Sequence, residues 1–168
     1  RSGNVVLEFR TDPDLPAVLM GDRNKVRIIL WNILQNAVHY TRNGFIRMYV
    51  DGSRRGNHLE LIFRIEDTGE GMSENVQKKI FESFSRSENH VAQGIGLGLT
   101  VAGYFAKAMN GNVSVQSREG KGSQFIVRIE QEFLMNGLLG EFEENEELAV
   151  KKLKAPEAEI LIVDDEPI

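Results

Sequence analysis

The chain contains no cysteine. This absence excludes a disulfide scaffold, a thiolate zinc site, an iron–sulfur cluster and a cysteine nucleophile, and it fits a reducing compartment without proving one. The three histidines, His39, His58 and His90, are too far apart in the sequence to indicate a metal cluster on their own. No apolar run approaches the roughly 18 residues that a membrane-spanning helix needs.

What the sequence does have is an ordinary globular composition: of its 168 residues, 41% are hydrophobic and 27% are charged. This argues against a disordered or fibrous chain and allows one domain with its own core. Residues 1–133 hold 15 acidic and 17 basic side chains, whereas residues 134–168 hold 10 acidic and 3 basic. Because no concentrated basic stripe is present, we expect no nucleic-acid partner.

Hydrophobic periodicity and turn residues predict the element order β, α, β, β, α, α, β, β. Asp22 is placed to cap a helix over about 23–40, and strict alternation over 58–67 predicts a strand with one buried face. The other predicted elements are strands at 5–10, 45–50, 112–117 and 123–133, a turn at 51–57, and helices at about 74–84 and within 94–111. Since strands and helices are mixed without regular βαβ alternation, we expect an α/β two-layer sandwich: a mixed sheet with its helices on one face.

The C-terminal part of the chain differs in composition from this domain, which we expect to span residues 1–133. Residues 134–158 are predicted to form an acidic linker, in which Glu147 and Lys151 have the i,i+4 spacing of a helix. Residues 159–168, EILIVDDEPI, have the pattern of a buried strand that ends in an acidic pair. This strand could open a second domain, or it could extend the sheet of the first.

A glycine-rich segment is the first candidate for binding chemistry. Gly94, Gly96 and Gly98 alternate along the chain and lead into a helix, so their backbone amides can approach an anion without Cβ clashes at a helix end that favours phosphate. The segment has neither the spacing of a dinucleotide-binding fingerprint nor the Gly-Lys-Ser/Thr ending of a P-loop. Taken alone, it is also compatible with a plain turn.

Asp67 continues the odd-numbered, apolar face of its predicted strand. A carboxylate at that position is unfavourable unless it meets a hydrogen-bond donor, and the exocyclic amine of adenine would be one. The alternative is that Asp67 caps the following turn, a common role of Asp before Gly. The residue alone does not decide between the two.

Asn32, Asn36 and Tyr40 follow one another at i,i+4 spacing, so two amides and a phenol line one stripe of the first helix. Asparagine is unfavourable inside helices because its side chain competes for backbone partners. Amide oxygens are suitable ligands for Mg²⁺, which usually also bridges phosphates. The alternative is an exposed polar stripe without a ligand.

Together, four motifs resemble a known family. In chain order they are Asn32-xxx-Asn36-Ala37-xx-Tyr40-Thr41, Asp67-Thr-Gly69-Glu-Gly71-Met72, Phe81-xx-Phe84-x-Arg86 and Gly94-x-Gly96-Leu97-Gly98-Leu99. They are similar to the ATP-binding catalytic domain of two-component sensor histidine kinases, in a group that also includes gyrase B, the ninety-kilodalton heat-shock chaperones and the MutL repair proteins. The match covers about residues 4–133, and four ordered motifs are far less easily matched by chance than one.

The resemblance implies that the cofactors are ATP and Mg²⁺. Asn36 would be the direct metal ligand, with Asn32 supporting the phosphates or a metal-bound water, and Arg86 would reach phosphate; Asn32 and Arg86 are thus the catalytic candidates. The hinge and the phosphate-facing helix start would be formed by Gly94, Gly96, Leu97, Gly98 and Leu99.

For the base, the resemblance implies that Asp67 accepts a hydrogen bond from the adenine amine, that Tyr40 stacks near the ring, and that Gly69 and Gly71 shape the pocket. The lid would comprise residues 87–93, anchored by Phe81 and Phe84. One position departs from the pattern: His39 stands where histidine kinases usually carry Lys or Arg. An imidazole, ordinarily neutral at pH 7, attracts phosphate more weakly, and Arg42 is a hypothetical substitute by proximity.

Residue 32 separates two classes of function. ATPases of the wider group carry a Glu at this position as the base that activates water, and the amide of Asn32 cannot take that proton. Phosphoryl transfer depends mainly on positioning and charge stabilisation. The resemblance therefore implies a histidine kinase module, an ATP-dependent phosphotransferase that donates the γ-phosphoryl group to a histidine on a separate dimerisation hairpin absent from this chain.

The last residues extend the resemblance. ILIVDDEP at 160–167 is similar to the first strand of a receiver domain, in which Asp164 and Asp165 would help to bind Mg²⁺, so a hybrid kinase in the cytoplasm is expected, with its receiver domain downstream. Two alternatives stay open: an ATP-hydrolysing domain of the gyrase or chaperone type, and a degenerate module that senses nucleotide without transferring phosphate.

Overall fold

The computed structural model describes residues 4–81 and 98–133 of the chain. Within these ranges it contains six strands and three helices in the order that the sequence predicts, with one short strand added. The elements are β1 (Val5–Thr11), β2 (Leu19–Met20), α1 (Arg23–Tyr40), β3 (Gly44–Arg55), β4 (His58–Asp67), α2 (Glu74–Lys79), α3 (Gly98–Ala108), β5 (Asn112–Arg118) and β6 (Gly122–Phe133).

The strands form one mixed sheet in the order β1-β3-β4-β6-β2, with β5 also pairing to β6. Only β1 and β3 run parallel among the pairs in the described ranges, and the other neighbours are antiparallel. The predicted α/β architecture, a mixed sheet with helices packed on it, is confirmed.

Helix α1 begins where its capping residue predicts. The side chain of Asp22 accepts a hydrogen bond from the backbone N–H of Lys25 at 3.0 Å, which satisfies one of the amides that the first turn leaves free. Along the helix, Ile29, Ile33 and Ala37 are buried, and their i,i+4 spacing makes one apolar stripe. The three residues belong to the buried core of the domain, where α1 contacts α3 and β4.

The core lies between that helix layer and the odd-numbered face of β4 and β6. Every second residue of β4 is buried, in the pattern that one covered sheet face requires. Buried residues of α3 complete the layer. The buried members of these three elements are Leu59, Leu61, Phe63, Ile65, Phe125, Val127, Ile129, Leu99, Ala102 and Ala106. Asp67 stands at the end of this apolar row.

Two boundaries differ from the prediction. Strand β3 continues to Arg55, so most of the predicted turn at 51–57 is strand, and the reversal occurs at Gly56, which has a φ of +63°. The polar residues there are stabilised by partners distant in sequence: Asp51 pairs with Arg64, and the guanidinium of Arg54 lies 5.2 Å from the ring centroid of Phe133.

The sequence also missed β2, which pairs with the end of β6, because two residues are too few to show periodicity. Helix α2 ends at Lys79, earlier than predicted. The predicted linker and the strand at 159–168 lie outside the described residues. None of the helices within 4–81 and 98–133 has the length and apolarity that would be needed to cross a bilayer.

Candidate functional site

The candidate site lies where the C-terminal half of α1, the N-terminal end of α3 and the loop after β4 meet. Asn32 and Asn36 are half-buried on α1. The amide nitrogen of Asn32 donates to the backbone carbonyl of Ile28 at 2.8 Å, which leaves its Oδ1 facing α3. A Cβ added to Gly98 would overlap that oxygen. The two helices therefore approach each other at a glycine that contacts the amide directly.

Asn36 lies one turn further along the same face. Its amide has no hydrogen-bond partner among residues 4–81 and 98–133, and its partial exposure leaves it accessible to a ligand. An accessible amide oxygen is a suitable Mg²⁺ ligand, so the donor available here fits that ion when phosphates supply the other oxygens. In the described ranges, no group of three or more histidine and carboxylate side chains is arranged to hold a metal ion.

Asp67 is 5% exposed, and the surrounding structure shows how a carboxylate is accommodated there. Its Oδ1 accepts a hydrogen bond from the backbone N–H of Gly69 at 2.9 Å. Burial raises the pKa of Asp67 above its ordinary value, the backbone N–H groups of Gly69 and Ser123 act in the opposite direction, and the charge of Glu66 raises it further. The turn-capping alternative is thus correct for one oxygen of the carboxylate, and it does not exclude a ligand at the carboxyl group.

The loop after β4 lies against the end of α1. The carbonyl oxygen of Tyr40 accepts a hydrogen bond from the N–H of Glu70 at 3.3 Å, and a Cβ on Gly69 would lie 2.6 Å from the same oxygen. Gly71, with a φ of +68°, packs so closely on the β5–β6 turn that a Cβ would overlap the carbonyl oxygen of Arg118. The two glycines therefore allow the loop to lie between α1 and the hairpin, which brings Asp67, Tyr40 and Gly69 together.

Sequence reasoning missed the residues that fix the other side of this loop. Ser123 pairs with Asp67 across β4 and β6, and its hydroxyl oxygen lies 3.0 Å from that of Ser117. Gly122 contacts the Asp67 carbonyl so closely that a Cβ would overlap it. The sequence Gly-Lys-Gly-Ser at 120–123 was interpreted only as a turn. A second glycine directly before a strand could have indicated a close backbone contact.

The other predicted residues are exposed near the site, packed in the core, or outside the described ranges. His39 is exposed, with its ring centroid 4.9 Å from that of Tyr40, and Arg42 lies 3.7 Å from Glu70 in an exposed ion pair. Leu99 is buried in the core rather than facing the site. The predicted residues outside the described ranges are Phe84, Arg86, Gly94, Gly96 and Leu97, together with the predicted lid at 87–93.

Comparisons with known proteins show the family to which this chain is similar. The family model described as "Histidine kinase-, DNA gyrase B-, and HSP90-like ATPase" matches residues 21–132. The chain is 34% identical over 169 residues to the peroxide stress-activated histidine kinase mak2 of Schizosaccharomyces pombe, covering 95% of this chain and 7% of that protein. It is 32% identical over 165 residues to the aerobic respiration control sensor protein ArcB of Escherichia coli, again covering 95% of this chain and 20% of that protein.

Solved structures show the same fold. Full-length ShkA, crystallised in complex with AMPPNP, matches with a TM-score of 0.66 at 27% identity, over 77% of this chain and 26% of that one. The nucleotide-free catalytic domain of the histidine kinase ThkA matches with a TM-score of 0.58 at 26% identity, over 77% of this chain and 82% of that one. The chain thus spans a small part of its long relatives and most of an isolated catalytic domain.

The contact between Gly98 and Asn32 makes a prediction. Gly98→Ala should displace the Asn32 amide and weaken ATP binding by about tenfold, because even small misplacements of a positioning group reduce its effect. It should not lower thermal stability, since alanine favours the helix over glycine. Titration calorimetry and thermal melts measure both, with Gly103→Ala as the control on the same helix, where a Cβ meets nothing closer than 4.0 Å. Equal ATP affinity in both variants would show that the contact between Gly98 and Asn32 does not position Asn32 for ATP binding.

The burial of Asp67 makes a second prediction. A folded-state pKa above the unfolded value means that this carboxyl stabilises the fold when protonated, and that this contribution is lost as the pH rises through the unfolded and then the folded value. At pH 7, Asp67→Asn should therefore raise the melting temperature by a few degrees, and the gain should vanish below about pH 4. The same change should abolish the preference for ATP over GTP.

The control for this experiment is Glu66→Gln, which removes a charge one residue away on the opposite face of β4. It should leave nucleotide preference unchanged. If Asp67→Asn lowers stability at pH 7, or if it binds ATP and GTP with the wild-type preference, our account of this carboxylate is wrong.

Proposed function

The chain belongs to the histidine kinase-, DNA gyrase B-, and HSP90-like ATPase family, and from this premise we propose that it is the ATP–Mg²⁺-binding catalytic module of a hybrid two-component histidine kinase. Its homologues mak2 and ArcB are a histidine kinase and a sensor protein, respectively. The proposed reaction transfers the γ-phosphoryl group of ATP to a histidine on a separate dimerisation hairpin. The chain's site residues supply binding, orientation and charge for this step.

The nucleotide site is built on α1 and the loop after β4. We assign the Mg²⁺ ligand to Asn36, whose amide oxygen has no other partner in the described ranges, and the adenine amine to Asp67. We also assign Tyr40 to the base, because its backbone carbonyl contacts the loop after β4 and the residue is 37% exposed, which leaves it accessible to a ligand. When bound, the metal ion neutralises phosphate charge in phosphoryl transfer. These assignments are supported by position, burial and hydrogen-bonding capacity.

One observation favours phosphoryl transfer over hydrolysis: the side chain of Asn32. Its nitrogen is committed to the Ile28 carbonyl at 2.8 Å, and its oxygen faces Gly98. An amide held in this way can orient a phosphate or a water, but it cannot accept the proton of an attacking water. The site therefore retains positioning without the general base that ATP hydrolysis uses in related ATPases.

Two further proposals concern the longer protein. Because ATP is the proposed phosphoryl donor, we place the module in the cytoplasm. We also propose that residues 159–168, which lie outside the described residues, begin a receiver domain in which Asp164 and Asp165 bind Mg²⁺. Arg86 remains the proposed phosphate-contacting residue of the segment between α2 and α3, and Gly94, Gly96 and Leu97 its hinge.

The assignment of Asn36 predicts a metal-dependent effect. Asn36→Ala should weaken ATP binding by at least tenfold in the presence of Mg²⁺ and much less in EDTA, because the amide is proposed to act through the ion. Calorimetric titration under both conditions measures the difference. Gln35→Ala, an exposed position on the same helix, is the matched control and should bind as the wild type does. An Asn36→Ala loss of equal size with and without Mg²⁺ would remove the metal-ligand role.

The proposed reaction is tested by extending the chain at its N-terminus with the preceding segment of the parent protein, which we propose carries the dimerisation hairpin. We expect labelled ATP to give a phosphorylated product that is acid-labile and alkali-stable, as a phosphohistidine is. Steady ATP turnover by the chain alone would favour a hydrolase instead. ATP binding without labelling of the extended protein would favour a nucleotide-sensing module, a reading to which His39 lends some support.

A further inference from the structure

A side-chain clamp holds the loop that carries the adenine contacts. Met72 ends this loop, and both of its peptide groups are bonded to side chains rather than to a neighbouring strand. Its N–H donates to the hydroxyl oxygen of Ser117 at 2.8 Å, and its carbonyl accepts from Nε2 of Gln77 at 3.0 Å. The end of the loop is therefore fixed by two residues that none of the recognised motifs contains.

Gln77 links three segments at once. From helix α2, its Nε2 also donates to the carbonyl of Ser117 at 2.8 Å, and its Oε1 accepts from the Ser117 N–H at 3.1 Å. The amide thus pairs with the Ser117 backbone as a strand neighbour would, and at the same time it reaches Met72. Because Gln77 is half-buried, these bonds are partly shielded from competing water.

Ser117 continues the connection towards Asp67. Its hydroxyl donates to the carbonyl of Gly122 at 2.9 Å and lies 3.0 Å from the hydroxyl of Ser123, which is directly opposite Asp67 in the β4–β6 pairing. The hydroxyl has one proton and two lone pairs, so bonds from Met72 and Ser123 together with the bond to Gly122 use its full capacity. A continuous hydrogen-bonded path therefore runs from α2 to β6, the strand in which Ser123 pairs with Asp67.

Few backbone hydrogen bonds other than those of the clamp join residues 68–72 to the β5–β6 hairpin within the described ranges. One such bond joins Gly120 N–H to the Glu70 carbonyl at 2.7 Å. Gly69 and Gly71 favour disorder of an unclamped loop, because glycine loses more conformational entropy on ordering than any other residue. Ordering such a loop on binding would reduce affinity, whereas an already ordered loop avoids that cost.

We propose that Gln77 and Ser117 are positioning residues for base recognition: their clamp on Met72 pre-orders the 67–72 loop so that it meets a purine ring without further ordering. This inference rests on the proposed function, because it concerns the same nucleotide pocket. It adds two residues that act through Asp67, Gly69 and Gly71 rather than by touching the ligand.

The test compares a series of substitutions at residue 77. Gln77→Met keeps the length and removes the hydrogen bonds, and we expect it to weaken ATP binding by about five- to tenfold. Gln77→Glu places a carboxylate oxygen against the two carbonyls that Nε2 now serves, so its loss should be larger. Asn75→Ala, on an exposed position of α2, is the control and should bind ATP as the wild type does.

A ligand without a base distinguishes a role in base recognition from a general effect on the structure of the site. Mg²⁺–tripolyphosphate, which has no base, should compete for the site equally well in the wild type and in Gln77→Met. Ser117→Ala should show the same ATP-selective loss, and Ser117→Thr, which restores the hydroxyl, should recover most of it. Binding stoichiometry in each titration reports the folded fraction, so partial unfolding cannot imitate a change in affinity.

Hydrogen exchange on the free chain tests the clamp without any nucleotide. Gln77→Met should accelerate exchange of the amides at 68–72 and leave those of α1 unchanged. If the wild type fails to bind ATP while this exchange still rises, the proposed function is wrong and the clamp stands. If ATP binds and Gln77→Met changes neither its affinity nor the exchange, or weakens ATP and tripolyphosphate equally, the positioning role is overturned.

Discussion

The structure depends on the accommodation of one carboxylate at the end of an apolar strand face. Four alternate residues of β4 before Asp67 are buried hydrocarbon, and burial alone would exclude a charged group from the fifth position. Backbone N–H groups of Gly69 and Ser123 donate hydrogen bonds to the Asp67 carboxylate and partly offset the effect of burial, although the pKa of Asp67 stays above its ordinary value. The surrounding glycines and serines allow these backbone N–H groups to lie within hydrogen-bonding distance of the Asp67 carboxylate.

A stability conflict follows from that arrangement. The free domain retains a partly compensated acid, an unpartnered amide at Asn36 within the described residues, and glycines where other residues would give more rigid backbone. Such features lower stability and are commonly retained where a ligand supplies the missing partners. On α1, Asn32 and Asn36 lie beside the buried stripe of Ile29, Ile33 and Ala37, so one side of the helix stabilises the fold and the adjoining side serves the site.

Much of the fold could be predicted because its signals are local. The Asp22 cap and the 3.6-residue periodicity defined α1, and strict alternation defined β4. The site's composition was likewise visible, since Asn32, Asn36 and Asp67 are each unexpected in their local patterns. What remained hidden depends on contacts between distant segments: the overlap of Gly98 with Asn32, the bonds from Gln77 to Ser117, and the pairing that makes β2 a strand. No periodicity or turn rule reports such contacts, because each one joins residues that lie far apart in the sequence.

The close packing of Gly98 on the Asn32 amide has a consequence for how such domains diversify. A glutamate at position 32 would be one methylene longer than the asparagine, whose Oδ1 already lies close to Gly98. A glutamate would therefore fit there only if its side chain turned away from Gly98 or if α3 moved. The close approach of Gly98 thus limits the length of the side chain at position 32 as well as its chemistry.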